Sequence, residues 1–97
     1  MRTNQAGLIA AAMDTGEATA SSWRAYRDTG LPSTGSVYDT VGVVEVWHYN
    51  TPMFRVWENN GQVDGLDAGW GSMSDKCGVR KILTGYGIDK GYADIFG

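Results

Sequence analysis

The sequence predicts a single α+β domain, in which an antiparallel meander of three or four strands packs with an N-terminal helix and a C-terminal helix. Two strongly β-forming runs, residues 43–49 (VVEVWHY) and 53–58 (MFRVWE), are separated only by an Asn-Thr-Pro turn. An apolar stripe with helical spacing precedes them, and a second stripe with a clear helix-start signal follows. The 97 residues of the chain correspond to one domain, residues 1–97.

The first helix is predicted over residues 4–13. Thr3 is suited to cap its first turn, and Gly16 follows closely enough to end it. The apolar side chains of one face are Leu8, Ile9, Ala12 and Met13. This spacing is that of a helix packed on a core through one side.

Residues 21–27 (SSWRAYR) alternate between two faces, which favours a first strand. A helix through residues 16–27 is an alternative that the pattern leaves open. Residues 28–36 (DTGLPSTGS) are rich in Gly, Pro and hydroxyl side chains, so we predict a loop there.

The strand at 43–49 carries two different faces. Val44, Val46 and His48 point one way, and Val43, Glu45, Trp47 and Tyr49 point the other. After the second strand at 53–58, the run Asn59-Asn60-Gly61 tolerates the positive φ angles of a tight hairpin. Residues 62–66 are therefore predicted to return as a further strand.

The stretch GWGSMSDKCGVRKIL, residues 69–83, predicts a helix at about 74–84. Ser72 and Asp75 have the spacing of a capping box, and Ser74 is a rival cap. The apolar face is Val79, Ile82, Leu83 and Tyr86. Gly78 costs such a helix up to about 1 kcal/mol relative to alanine, which predicts close packing at that point. The tail, residues 86–97, has a weaker helical stripe and either packs on the core or is offered to a partner.

Two of these segments, Tyr49–Met53 and Gly71–Leu83, together with the order of elements, resemble a group of small bacteriophage proteins of about this length. Members share a short N-terminal helix, a tyrosine-containing strand that runs into a Thr-Pro turn, and a Ser/Thr-rich segment before a basic helix. This chain departs from the group in carrying Ser72-Met73-Ser74 where several threonines are usual, and in its additional loop at 28–42. The resemblance implies a phage accessory protein made in the cytoplasm of a bacterial cell, and it brings no assigned chemistry.

The composition limits the kinds of partner and cofactor that we expect. A net charge of −3 and a pI of about 4.8 argue against nucleic-acid binding. One cysteine excludes an intrachain disulfide, and one cysteine with one histidine makes a structural zinc site implausible. The longest early apolar run, residues 6–13, is too short for a membrane span. We therefore expect a protein without metal, cofactor or membrane.

The sequence offers no evident catalytic set, so we expect a protein that is not an enzyme. His48 lies within the best strand and is interpreted as structural, while Cys77 is interpreted as a buried small hydrophobe. Asp64 and Asp67 are interpreted as turn and loop acids rather than metal ligands.

Two functions remain, and they use different residues. The first is an accessory protein that acts by protein contact, on a host protein or defence system or on a second copy of itself. Its predicted surface is the face opposite the helices, with Trp47, Tyr49, Arg55 and Trp57. The alternative is a phosphate- or nucleotide-binding protein that uses the helix start between Gly69 and Lys76, through Gly71, Ser72, Ser74 and Lys76.

Overall fold

The structure, a computed structural model, describes residues 1–32 and 40–97, with side chains described outside 29–41. It is an α+β fold, as predicted. A short 3-10 turn, Gln5–Gly7, precedes the first helix. The elements are α1 (Leu8–Thr15), β1 (Glu17–Ala20), β2 (Trp23–Pro32), β3 (Thr40–His48), β4 (Thr51–Trp57), β5 (Val63–Gly65), α2 (Met73–Gly85) and α3 (Tyr92–Phe96).

The N-terminal helix begins later than predicted, because its first turn is a 3-10 turn capped by the next residue along. The Asn4 side chain, rather than that of Thr3, accepts the N–H of Gly7 at 2.8 Å. Gly16 ends α1 in the left-handed conformation at φ 90°, as predicted. Leu8, Ile9 and Ala12 are fully buried.

Within residues 1–32 and 40–97, the sheet is an antiparallel meander of five strands in the order β1-β2-β3-β4-β5. The strand interpretation of residues 21–27 is correct, since Trp23 to Arg27 lie in β2 and pair with β3. The added strand is β1, which pairs Ala20 with Trp23 through a two-residue turn. Its sequence, EATA, has weak β propensity and lay in the stretch that also allowed a helix.

The prediction of a loop at 28–36 is wrong for residues 28–32, which belong to β2. β2 continues to Pro32 and pairs with β3 across an irregularity between Asp28 and Leu31. The remainder of that predicted loop, residues 33–36, lies outside the described residues. The Asn59-Asn60-Gly61 turn joins β4 to β5 as predicted, with Gly61 at φ 69°.

The core lies between the sheet's inner face and helices α1 and α2. Trp23, Val44, Val46, Phe54 and Val56 supply the sheet side. Leu8 and Ile9 of α1, and Val79, Ile82 and Leu83 of α2, supply the helix side. Trp23 is the largest fully buried side chain, and Gly78 of α2 leaves room for it, since a Cβ there would lie 2.1 Å from the indole ring.

The C-terminal tail packs on the core, which decides between the two alternatives for it. Ile88, Tyr92, Ile95 and Phe96 are partly buried against the core cluster, and Ile95 and Phe96 contact Gly65 of β5. In the portion of the chain that the structure describes, no helix has the length and apolar character needed to cross a bilayer.

Candidate functional site at the start of helix α2

The start of α2 is built around one carboxylate, that of Asp75. Ser72 is the N-cap, and the capping box with Asp75 forms as predicted. The second carboxylate oxygen of Asp75, Oδ2, accepts the backbone N–H groups of Trp70 and Ser72, each at 3.2 Å. The loop before the helix reaches this geometry through Gly69 and Gly71, both at φ 65°, a region that side chains disfavour. Asp75 thus closes the preceding loop onto the helix.

The other oxygen of Asp75, Oδ1, faces the single histidine of the chain. His48 Nδ1 lies 2.6 Å from it, and the two side chains are only 4% and 6% exposed. Because Asp75 accepts, Nδ1 carries the proton of a neutral His48 and leaves Nε2 as an acceptor. The last residue of β3 and the first turn of α2 are therefore joined through a buried pair.

The remaining nitrogen of His48 faces two hydroxyl groups. Nε2 lies 2.9 Å from Ser22 Oγ and 3.5 Å from Ser74 Oγ. The imidazole stacks on the Trp23 indole, with ring centroids 4.1 Å apart and planes 8° from parallel. The ring centroid of Tyr49 lies 4.6 Å from that of the imidazole. The ring is thus held by contacts on its face as well as at both nitrogens.

Burial by itself raises the pKa of Asp75, but the hydrogen bonds from His48 and Ser72 outweigh it. They hold the pKa of this carboxyl below its ordinary value of 3.8. Asp75 is therefore ionised near neutral pH and remains the acceptor for the imidazole N–H.

The turns that carry Ser22 and His48 have unusual backbone conformations. Ser21 at φ 57° and Tyr49 at φ 55° are the non-glycine residues with positive φ in the described chain. The N–H of Tyr49 donates to the carbonyl of Ser22 at 2.9 Å, which holds the two turns together. Such strained positions are concentrated at functional sites, because folding rarely retains them otherwise.

A cleft of about 300 Å³ opens beside this network, and we call it the helix-start cleft. It is lined by His48, Tyr49, Thr51, Gly69, Trp70, Ser72, Ser74 and Asp75. Trp70 is 95% exposed, Tyr49 is 70% exposed, and Met73, in the first turn of α2, is 74% exposed. Large apolar side chains with this exposure are typical of contact sites.

Only part of the predicted ligand site comes together. Ser72 and Ser74 line the helix-start cleft, whereas Lys76 places its ammonium group 5.9 Å from the ring centre of Tyr92 in α3. Gly71 shapes the loop and does not line the cleft. Asp75 already supplies a negative charge where a bound phosphate would interact with the helix start, which disfavours an anion there.

The four residues of the predicted partner surface do not all lie on one face either. Trp47, Arg55 and Trp57 lie on the sheet's outer face, opposite the core, but they are only partly exposed. Glu45 accepts from Trp47 Nε1 at 2.8 Å and from Arg55 Nε at 2.9 Å, and Asp64 accepts from Trp57 Nε1 at 2.7 Å. Tyr49 does not share this face, because its positive φ turns it out of the strand toward His48.

Searches of protein-family models, curated proteins and solved structures found no match.

The structure also places Cys77, His48 and Asp67, which the sequence analysis interpreted as a buried hydrophobe, a structural histidine and a loop acid. Cys77 is exposed rather than buried, since it faces away from the apolar stripe of α2. His48 is buried, as expected of a structural histidine, but both of its ring nitrogens have polar partners. Asp67 caps the loop by accepting the N–H of Gly69 at 2.8 Å.

Sequence reasoning missed Ser22 and Trp70 as site residues. Ser22 lies in the turn between β1 and β2, and because β1 was not predicted, the approach of Ser22 to His48 had no visible signal. Trp70 did carry a signal for exposure. It lies between two glycines in a loop, where few neighbouring side chains are available to bury it.

Proposed function

We propose that this protein acts by contact with a protein partner, and that its contact surface is the rim of the helix-start cleft formed by Tyr49 and Trp70, together with exposed Met73, which lies between the cleft-lining Ser72 and Ser74 in the chain. The observation that carries the proposal is the 95% exposure of Trp70 beside the exposed ring of Tyr49. Trp, Tyr and Met are the residue types enriched in interfaces, and Trp and Tyr are frequent hot spots.

The partner side chain best suited to this rim is a basic one. The faces of Trp70 and Tyr49 attract a guanidinium or ammonium group. Exposed Asp67 lines an adjoining cleft of about 280 Å³ together with Trp70, and the chain carries a net charge of −3. An arginine of the partner would stack on an indole and pair with a carboxylate at the same time.

The outer face is less suited to this role than the sequence suggested. Its two indole N–H groups and its arginine are already paired with Glu45 and Asp64, so a partner would have to compete with these bonds. The resemblance to phage proteins points to a partner in the cytoplasm of a bacterial host, such as a defence protein.

Substitution of Trp70 by alanine is expected to weaken partner binding by about 30-fold or more, which corresponds to a hot spot of about 2 kcal/mol. Because the side chain is almost wholly exposed, the melting temperature should barely change. Affinity purification from host extract with quantitative mass spectrometry identifies the partner, and calorimetry with the purified partner measures the affinity.

The matched control is Trp57→Ala on the outer face, which should retain the partner once its folding has been checked by circular dichroism. Loss of the partner with Trp57→Ala but not with Trp70→Ala would move the contact to the outer face. The proposal would be contradicted if the natural protein were strictly monomeric and captured no protein whose binding is lost in Trp70→Ala.

Nucleotide binding at the helix start is the alternative, and it is favoured by the Ser72 and Ser74 hydroxyl groups in the cleft. A thermal-shift panel of nucleotides and inorganic phosphate tests it directly. Stabilisation that disappears in Ser74→Ala would support the alternative, and a flat response would remove it.

A further inference from the structure

We propose that Ser22, His48 and Asp75 form a hydroxyl-activating triad, and that Ser22 Oγ is a nucleophile toward small carboxylic esters. This inference goes beyond partner binding and does not depend on it. It rests on the two hydrogen bonds that connect the three side chains, Ser22 Oγ to His48 Nε2 at 2.9 Å and His48 Nδ1 to Asp75 Oδ1 at 2.6 Å.

The arrangement meets the geometric requirements for activating a serine. A base must lie within hydrogen-bond reach of the hydroxyl, and a third group must orient the base. Asp75 is itself fixed by the N–H groups of Trp70 and Ser72, and the imidazole is fixed by stacking on Trp23. Each member is therefore held before any substrate arrives.

Ser22 also has space in front of it. It lines a second cleft of about 240 Å³, the hairpin cleft, together with Ser21, Arg24, Tyr49 and Asn50. The cleft contains both positive-φ residues, and its volume accommodates a small ester. Arg24 and Asn50 carry N–H groups of the kind that stabilise an oxyanion.

The proposed reaction has two balanced steps. Ser22 Oγ attacks the ester carbonyl carbon while its proton passes to His48 Nε2, and that proton then goes to the departing alcohol as the C–O bond breaks. Water attacks the resulting acyl-Ser22, giving its proton to Nε2, and the carboxylic acid leaves as Ser22 recovers the proton. Asp75 stays ionised and stabilises the imidazolium in both steps.

Ser74 is the competing hydroxyl, at 3.5 Å from the same nitrogen. Nε2 has one lone pair, so one hydroxyl donates to it at a time. We assign the nucleophile to Ser22 because its oxygen is 0.6 Å closer, the difference between 3.5 and 2.9 Å.

The test is covalent labelling of the full chain by a small fluorophosphonate, followed by intact-mass and peptide mass spectrometry. The expected result is one adduct per chain, located on Ser22 and still on Ser22 in the Ser74→Ala variant. Ser22→Ala should abolish labelling. Asp75→Asn should slow it by about 100-fold or more, because it favours the wrong imidazole tautomer.

A second measurement removes dependence on the folding of these variants. Ser22→Cys in a Cys77→Ser chain should react with iodoacetamide at pH 6 at least about ten-fold faster than exposed Cys77 in the natural chain, since a neighbouring imidazole promotes the thiolate. Absence of any adduct on folded protein, an adduct on Ser74, or an unactivated thiol at position 22 would each overturn the assignment.

Discussion

Replacement of Asp75 by alanine is expected to lower the free energy of unfolding by about 2–4 kcal/mol. The substitution removes the carboxylate half of the capping box of α2, worth about 1 kcal/mol, and leaves the buried Nδ1–H of His48 without its acceptor, which costs about 1–3 kcal/mol more. Chemical denaturation at pH 7 measures the loss. For a chain of this size, it corresponds to a fall in melting temperature of about 10–20 °C.

The natural protein and the Asp75→Ala variant should differ less in free energy of unfolding at acidic pH. Because the pKa of folded Asp75 lies below its ordinary value of 3.8, its stabilisation is present above that value and is lost as the pH falls through the folded pKa. The gap between natural protein and variant should therefore narrow below about pH 4. Asp67→Ala is the matched control, because this exposed acid accepts only a loop N–H and should cost less than about 1 kcal/mol. A gap that stays constant with pH would show that Asp75 does not stabilise the fold as a charge.

Replacement of Gly78 by alanine is expected to destabilise the protein by about 1–3 kcal/mol, although alanine is the better helix former. The new Cβ would lie 2.1 Å from Cζ2 and 2.4 Å from Cε2 of Trp23, so this fully buried ring or the helix would have to shift. Since the same ring stacks on His48, its displacement should also disturb the helix-start network. Chemical denaturation measures the loss of stability, and the ring signals of His48, the single histidine, report the disturbance of its stacking on Trp23.

Two further variants isolate the cause. Thr84→Ala, an exposed position of α2, should change stability by less than about 0.5 kcal/mol. Trp23→Phe combined with Gly78→Ala should be more stable than the sum of the single losses predicts, because the smaller ring makes room for the methyl group. Simple additivity would exclude the steric explanation.

The fold was predictable to the extent that its elements have local signals. The capping box at Ser72 and Asp75 and the turn at Asn59-Asn60-Gly61 are short-range devices, and both form as predicted. β1 was missed because Glu17–Ala20, with the sequence EATA, has weak β propensity and gains its stability from pairing with β2.

The candidate site was less predictable, because it is made by contacts between distant positions. Asp75 and His48 are 27 residues apart, and Ser22 and His48 are 26 apart. Asp75 was recognised only as the capping-box partner of Ser72, and the same carboxylate also accepts from the imidazole of His48. Tyr49 was assigned to the outer face by strict alternation, which fails where a strand ends in a left-handed residue.

The hydrogen bonds that join Ser22, His48 and Asp75 are tested most directly by the tautomer of His48. The chain has a single histidine, so its ring signals are unambiguous. A long-range proton–nitrogen correlation spectrum near neutral pH should give a protonated Nδ1, hydrogen-bonded to Asp75, and an unprotonated Nε2 that accepts from serine. The signals should move toward the free-histidine pattern in Asp75→Ala. A neutral His48 ring that carries its proton on Nε2 in the natural protein would contradict both the hydrogen bond to Asp75 and the role of Nε2 as an acceptor.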